Sequence, residues 1–271
     1  MIQISENVFA ETGIHACNLG LIITREGNIL IDTPMIARDA IKWRDEVNKK
    51  GEVRYLINTE EHADHTENSH FLPGLLITHE RTRETLAKVA IEEVLERAKR
   101  LDPDGSSFME GFRLRLADIT FTENLDLYLG GLTLKLFHLP GHSDGGIGVY
   151  IPEDKVVFTT DIVFHRKKSW LHKANPSQWL QSLKKLSELE VDVVVPGHGD
   201  LCKKDYLKEQ AGIIEKWVEA VQSAIDEGLS QDEAMARVPP PDPYAKQPNT
   251  PMTEEELNKA IIARLYSLYS K

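Results

Sequence analysis

Seven residues of this chain combine a metal-ligating side chain with a place just after a strand-like run. Thr59-Glu60-Glu61-His62-Ala63-Asp64-His65 gathers two imidazoles and three carboxylates into one heptapeptide. It follows Val53-Arg54-Tyr55-Leu56-Ile57-Asn58, which reads as a buried strand. His142, Asp161 and His198 each close an apolar run as well: Phe137-His138-Leu139-Pro140-Gly141-His142, Val156-Val157-Phe158-Thr159-Thr160-Asp161 and Val193-Val194-Val195-Pro196-Gly197-His198. Imidazole and carboxylate suit Zn, Fe or Mn, and α/β proteins build sites at the C-terminal ends of strands. Pro-Gly-His occurs twice. Proline cannot continue the ladder, glycine lets the backbone turn, and the imidazole is left at the strand's edge.

The surrounding elements are those of an α/β chain. Leu19–Thr24 and Ile29–Asp32 flank a turn as a hairpin. Residues 36–50 predict an amphipathic helix with Ile36, Ala40, Ile41 and Val47 on one side. Leu75–Thr78 is a further strand, and Glu80 to about Leu101 reads as one charged helix. Strands follow at 119–122, 125–129, 132–138, 147–151 and 155–160. A helix at 176–190, capped by Asn175 with Pro176 in its first turn, precedes a strand at 191–195. Beyond it the chain is helical at 205–228, 231–237 and 254–269, broken by the Pro-rich stretch 239–243. That stretch is too short to separate independent domains, so residues 1–204 are expected to form the catalytic body and 205–271 a helical extension packed on it.

Taken together, the motifs resemble those of the metallo-β-lactamase fold superfamily. Its first motif, usually Thr-His-x-His-x-Asp-His, reads Thr59-Glu60-Glu61-His62-Ala63-Asp64-His65 here. Its two Pro-Gly-His motifs match 140–142 and 196–198, its bridging aspartate matches Asp161, and Ile31-Asp32-Thr33 matches a strand that supports the ligands. The resemblance spans about residues 6–200 and implies a four-layer αββα sandwich with a metal site at one edge, here with extra C-terminal helices. It also implies two divalent ions, Zn foremost, with Fe or Mn as alternatives. Glu60, His62 and His142 would hold one ion, Asp64, His65 and His198 the other, and Asp161 would bridge them. Asp64 could also orient or shuttle a proton.

Glu60 departs from the pattern, standing where the family has His. As a ligand it makes the first site harder and more anionic than three imidazoles would. The neighbouring Glu61 could substitute, but the register favours Glu60. The implied activity is hydrolysis. Hydroxide held on metal attacks the carbonyl of an ester, thioester, lactone or β-lactam-like amide in a small substrate. Two alternatives stand beside it: an iron-dependent oxidoreductase or dioxygenase on the same fold, and a non-catalytic homologue that keeps the pocket.

The stretch after Asp161, Phe164-His165-Arg166-Lys167-Lys168-Ser169-Trp170-Leu171-His172-Lys173, is basic in an acidic chain. His165, Arg166, Lys168 and Trp170 are therefore candidate substrate contacts for an anionic group. Phe108, Met109 and Phe112 could form an apolar lid or pack under the C-terminal helices. His138 reads as structural, His79 as a surface or cap residue, and Asp32 as the acceptor behind a ligand histidine. With 32 basic against 43 acidic residues, the net charge of −11 argues against nucleic acid or anionic membrane as partner. No run approaches the ~18 apolar residues of a membrane span, and the N-terminus lacks signal-peptide features. The expectation is a cytoplasmic protein acting on a small molecule, with a homodimer compatible with the pattern. The two cysteines, Cys17 and Cys202, are expected to be free thiols.

Overall fold

The computed structural model describes residues 1–15, 17–248, 250 and 252–270, with the backbone alone at residue 106. Strands β1 (Ile2–Gln3), β2 (Val8–Glu11), β3 (Leu19–Ile22), β4 (Asn28–Ile31), β5 (Val53–Ile57), β6 (Leu75–His79) and β7 (Ile119–Phe121) form one sheet in sequential order. The pairings are antiparallel from β1 to β4 and parallel from β4 to β7. Strands β8 (Asn124–Leu129), β9 (Leu132–His138), β10 (Ile147–Ile151) and β11 (Val156–Phe158) form an antiparallel second sheet. It is closed by β13 (Val193–Val195) running parallel to β11, while β12 (Phe164–His165) pairs in parallel with β14 (His198–Gly199) beside it.

The layers follow from side-chain alternation. Ile29 and Ile31 of β4, with Ile22, Ile57 and Ile77, meet Leu134, Leu136, Val149 and Phe158 between the sheets. Leu30, on the other face of β4, joins Leu21, Leu56 and Leu76 under Trp43 and Val47 of helix α1 (Ala37–Asn48). The outer face of the second sheet, through Phe137, Val157 and Val194, is covered by three further helices. These are α5 (Pro176–Ser187), α6 (Tyr206–Asp226) and α8 (Glu254–Tyr269), which contribute Trp179, Trp217, Leu257 and Ile261. The result is the expected αββα sandwich, with the helices beyond residue 205 in the outer layer of the second sheet. At Gly20 a Cβ would come within 2.7 Å of the Phe158 ring, so the close approach of the sheets requires glycine there.

Two short helices occupy loops of the first sheet. The single turn α2 (Ala63–Thr66) follows β5, and α3 (Glu80–Leu86) follows β6. The continuous helix expected over 80–101 is two: α3 ends at Leu86, and α4 (Ile91–Leu101) starts after Ala90, whose backbone is extended at ψ 132°. Neither Gly nor Pro marks the turn, so periodicity alone ran through it. In α1 the buried face includes Trp43, and Ile41 is only half-buried. Phe112 packs on His70 and Phe71, and Phe108 lies under Arg38 of α1. These two aromatic residues therefore sit on the α1 side, and of the two placements the sequence offered, an apolar lid or packing under the C-terminal helices, the second is not observed. Helix α7 (Gln231–Arg237) and α8 each begin with a capping box, Ser230/Glu233 and Thr253/Glu256.

Candidate metal centre

The first ligand cluster is built by the end of β5. After Ile57 the backbone leaves the sheet, and α2 winds once to carry His65 back beneath it. Asn58 holds this turn by donating from Nδ2 to the His65 carbonyl at 2.7 Å. Thr59 donates its N–H (2.7 Å) and its hydroxyl (2.6 Å) to Asp32. Asp32 also lies 2.9 Å from His65 Nδ1, the carboxylate-behind-histidine contact expected of it. Its φ of 59° is left-handed, a conformation uncommon for a residue with a Cβ.

The other ligands arrive on three tight turns. Gly141, at φ 141°, leaves no room for a Cβ against the Trp179 backbone, and its carbonyl accepts from Asn175 N at 2.7 Å. His142 then stands edge-on to Trp179, centroids 5.3 Å apart. Asp161 follows β11 in a 3-10 turn whose first residue, Thr160, has φ 48°. Gly197 has no left-handed backbone; it must be glycine because a Cβ would overlap Asp161 Oδ1. His198 stacks on Phe164 at 5.4 Å. Asn18 closes the assembly, donating from Nδ2 to the carbonyls of Pro196 and Gly199 at 2.9 and 2.8 Å.

All seven predicted ligand residues converge. Glu60, His62 and His142 form one cluster, Asp64, His65 and His198 another, and Glu60, His65 and Asp161 a third between them. Asp161 Oδ2 lies 3.5 Å from His142 Nε2 and 3.3 Å from His198 Nε2, so one oxygen faces both outer clusters. His65 Nε2 is 3.4 Å from both Glu60 Oε1 and Asp161 Oδ1. Donors bonded to one tetrahedral ion at roughly 2.0–2.2 Å stand about 3.4 Å from each other. His65 Nε2 and Asp161 Oδ1 are buried and have no hydrogen-bond partner among the described residues. The donor set, its spacing and these two orphaned atoms fit divalent metal.

Glu60 is wholly buried, and its two oxygens are used differently. Oε1 is 2.7 Å from His62 Nδ1, inside the cluster, while Oε2 accepts from the Ser143 hydroxyl at 2.8 Å. One oxygen is therefore presented where an imidazole nitrogen would be. Glu61 does not share this task. Its carboxylate turns to the neighbouring loop, accepting from Asp144 N at 3.2 Å and Gly145 N at 3.1 Å.

The electrostatics reflect anions and imidazoles sharing a dry site. Burial opposes charge on His62, but the Glu60 carboxylate beside it raises the imidazole to about 9. Burial likewise opposes charge on His198, which Asp161 and Asp64 raise to about 10. Against the same burial, His65 and His198 hold Asp64 below the usual carboxylate range, and His198 and His65 do so for Asp161. Burial outweighs the attraction of Glu60 and Asp161 at His142, whose pKa falls. Burial and the neighbouring Glu60 charge push Glu61 up.

The expected substrate contacts divide. Arg166 is exposed, with φ 54°, and His165 Nδ1 lies 2.8 Å from the Asp200 carbonyl. Lys168 is 2% exposed and ion-paired with Glu254 of α8, with Asn258 at 2.9 Å. It is a structural cation whose charge is already answered, so a role as anion receptor does not hold. Trp170 donates Nε1 to Gln247 at 2.8 Å and packs on the C-terminal core, a structural use as well. Sequence reasoning missed Ser143 and Asn18, whose types occur everywhere and whose partners lie 83 and 178 residues away. His79 caps α3 by accepting from Arg81 N at 3.1 Å and stacks on His138 at 4.1 Å, so His79 is a cap and His138 structural, as expected. Cys17 and Cys202 are free and buried. None of the described helices is long and apolar enough to cross a membrane.

The profile of the "Metallo-beta-lactamase superfamily" matches residues 12–198. An acyl-coenzyme A thioesterase, MBLAC2 of Gallus gallus, is 37% identical over 75 residues, covering 26% of this chain and 27% of that protein. A hydroxyacylglutathione hydrolase of Brucella ovis is 36% identical over 83 residues, 30% of each chain. The matched stretches thus span under a third of these relatives. Among solved structures, a metallo-beta-lactamase family protein from Thermus thermophilus superposes with TM-score 0.70 at 18% identity, covering 97% of this chain and 94% of that one. A double mutant of the sec-alkyl sulfatase PisA1 superposes with TM-score 0.72 at 16% identity, covering 98% of this chain and 49% of that one. The chain belongs to the metallo-beta-lactamase superfamily.

Proposed function

We propose that the protein is a dinuclear metal-dependent hydrolase of acyl compounds, thioesters foremost. The observation that carries this reading is Asp161 Oδ2, placed between His142 Nε2 and His198 Nε2 at 3.5 and 3.3 Å. A carboxylate shared in this way suits two adjacent ions rather than one. Glu60, His62 and His142 would hold the first, Asp64, His65 and His198 the second. Bound there, such ions supply Lewis acidity and a water acidified to a pKa of about 7. Zn suits the four imidazoles, and Glu60 adds a hard donor that admits Fe or Mn.

The residues of the chain do the rest. Asp32 and Thr59 fix the His65 ring from behind, and Ser143 fixes Glu60. The Asp64 side chain is 24% exposed against 6% for Asp161 and 0% for Glu60. Asp64 is therefore the carboxylate placed to take a proton where water enters. With Lys168 neutralised, Arg166 remains, alongside Lys167 and Lys173, as a cation of the basic segment for an anionic substrate tail. The thioester preference draws on the acyl-coenzyme A thioesterase and hydroxyacylglutathione hydrolase relatives. The test is turnover of S-lactoylglutathione, acetyl-coenzyme A, a lactone, a cephalosporin and dodecyl sulfate by Zn-loaded protein. Thioester hydrolysis abolished by His142→Ala supports the reading; oxygen uptake without hydrolysis, or sulfate release alone, refutes it.

A further inference from the structure

Phe164 touches an imidazole from each of the two outer ligand clusters. Its ring stacks on His198, centroids 5.4 Å apart and 15° from parallel, and stands at 62° to His142, again at 5.4 Å. Trp179 completes the aromatic group, 6.1 Å from Phe164 and 5.3 Å from His142. His142 belongs with Glu60 and His62, and His198 with Asp64 and His65. One buried apolar side chain thus bears on ligands of both clusters.

What fixes Phe164 lies outside the ligand-bearing body. Among the described residues β12 pairs with β14 alone, so the polar backbone on its other edge needs partners from elsewhere. Helix α6 supplies them. Gln210 Oε1 accepts from Phe164 N at 3.0 Å, and Tyr206 Oη donates to the Phe164 carbonyl at 2.9 Å. The two residues are four apart, so they share one face of the helix. Neither is free to turn away. Gln210 is wholly buried, and its Nε2 donates to Ser169 Oγ at 2.7 Å. Tyr206 Oη also accepts from Arg166 N at 3.0 Å. Both backbone polar groups of Phe164 are therefore held by a helix that begins after the last ligand, His198.

We propose that Tyr206 and Gln210 are positioning residues for the metal centre: they clamp the Phe164 backbone and, through its ring, fix the His142 and His198 imidazoles. The assignment rests on the two-ion reading above and goes beyond it by making α6 part of the scaffold of the centre. Packing that locks a ligand's ring removes orientations that the ion would otherwise have to select against.

Co(II) affinity, measured by competition with a chelator, tests the clamp without substrate. Gln210→Met keeps the length of the side chain and deletes both of its hydrogen bonds, whereas Tyr206→Phe deletes only the hydroxyl. Each should weaken Co(II) binding about tenfold, the low end of what such supporting changes cost, and shift the visible absorption of the bound ion. In a Phe164→Leu background, where the ring is gone, the same substitutions should change affinity by less than about twofold, while still lowering the melting temperature. Wild-type affinity in both Gln210→Met and Tyr206→Phe overturns the proposal. So does a loss of equal size with and without the Phe164 ring, since that would be general destabilisation and not positioning. Since no hydrolysis is read, failure of the thioester panel and failure here remain separate results.

Discussion

Glu60 shows how one ligand can change type without dismantling a site. A carboxylate has two oxygens where an imidazole offers one nitrogen, and Ser143 occupies the second at 2.8 Å. Ser143→Ala should therefore loosen metal binding by about tenfold, the loss of one charge-assisted hydrogen bond, with folding intact by circular dichroism. Equal affinity in the variant would mean that the pair is incidental. The protonation states lead to a second expectation. His62 and His198, raised to about 9 and 10, carry protons at pH 7 when no metal is bound. Metal must displace these protons and that of His65, whose pKa, against burial, the fields of Cys17 and Asp32 raise well above the usual histidine range, so binding releases about three protons per chain, and affinity rises with pH until these groups deprotonate. Calorimetry in buffers of differing ionisation enthalpy would show the release; heat independent of buffer would contradict it. At this scale the sequence was explicit about Glu60, His62, Asp64, His65, His142, Asp161 and His198, since each follows the end of a strand. It was silent on Ser143 and Asn18, whose importance comes from what lies opposite them.

The strands and their turns carry the site, and glycines at two turns act through space as much as through backbone freedom. Gly197 would place a Cβ on Asp161 Oδ1. Gly197→Ala is expected to displace Asp161 and lower metal content, read by elemental analysis; an unchanged metal content would show that the turn can yield. The C-terminal extension is the second contributor. Glu254 of α8 answers the buried charge of Lys168. Glu254→Gln should cost about 1–3 kcal/mol of stability, and a smaller change in the melting temperature than that implies would mean that Asn258 alone suffices. Strand runs and capped helices were legible because alternation and cap residues are local signals. The break between α3 and α4 was not, because no Gly or Pro marks Ala87–Ala90. Nor was the fate of Lys168 and Trp170, whose partners Glu254 and Gln247 lie 86 and 77 residues away.

Across the whole molecule, two sheets pack face to face, and the metal-ligand turns gather at the ends of β5, β9, β11 and β13. The αββα order was readable from five motifs in sequence, whereas the packing of α6 and α8 on the second sheet needed coordinates. Three buried or half-buried carboxylates and four imidazoles in contact make sense together only around cations, since unpaired charges in such a place are costly. The central claim is that Glu60 is a ligand of a two-ion centre. Elemental analysis of wild type and Glu60→Ala after reconstitution with Zn and desalting tests it most directly. The expected result is about two ions per chain in wild type and about one in the variant. Fewer than about one ion in wild type, or equal content in both proteins, would contradict it.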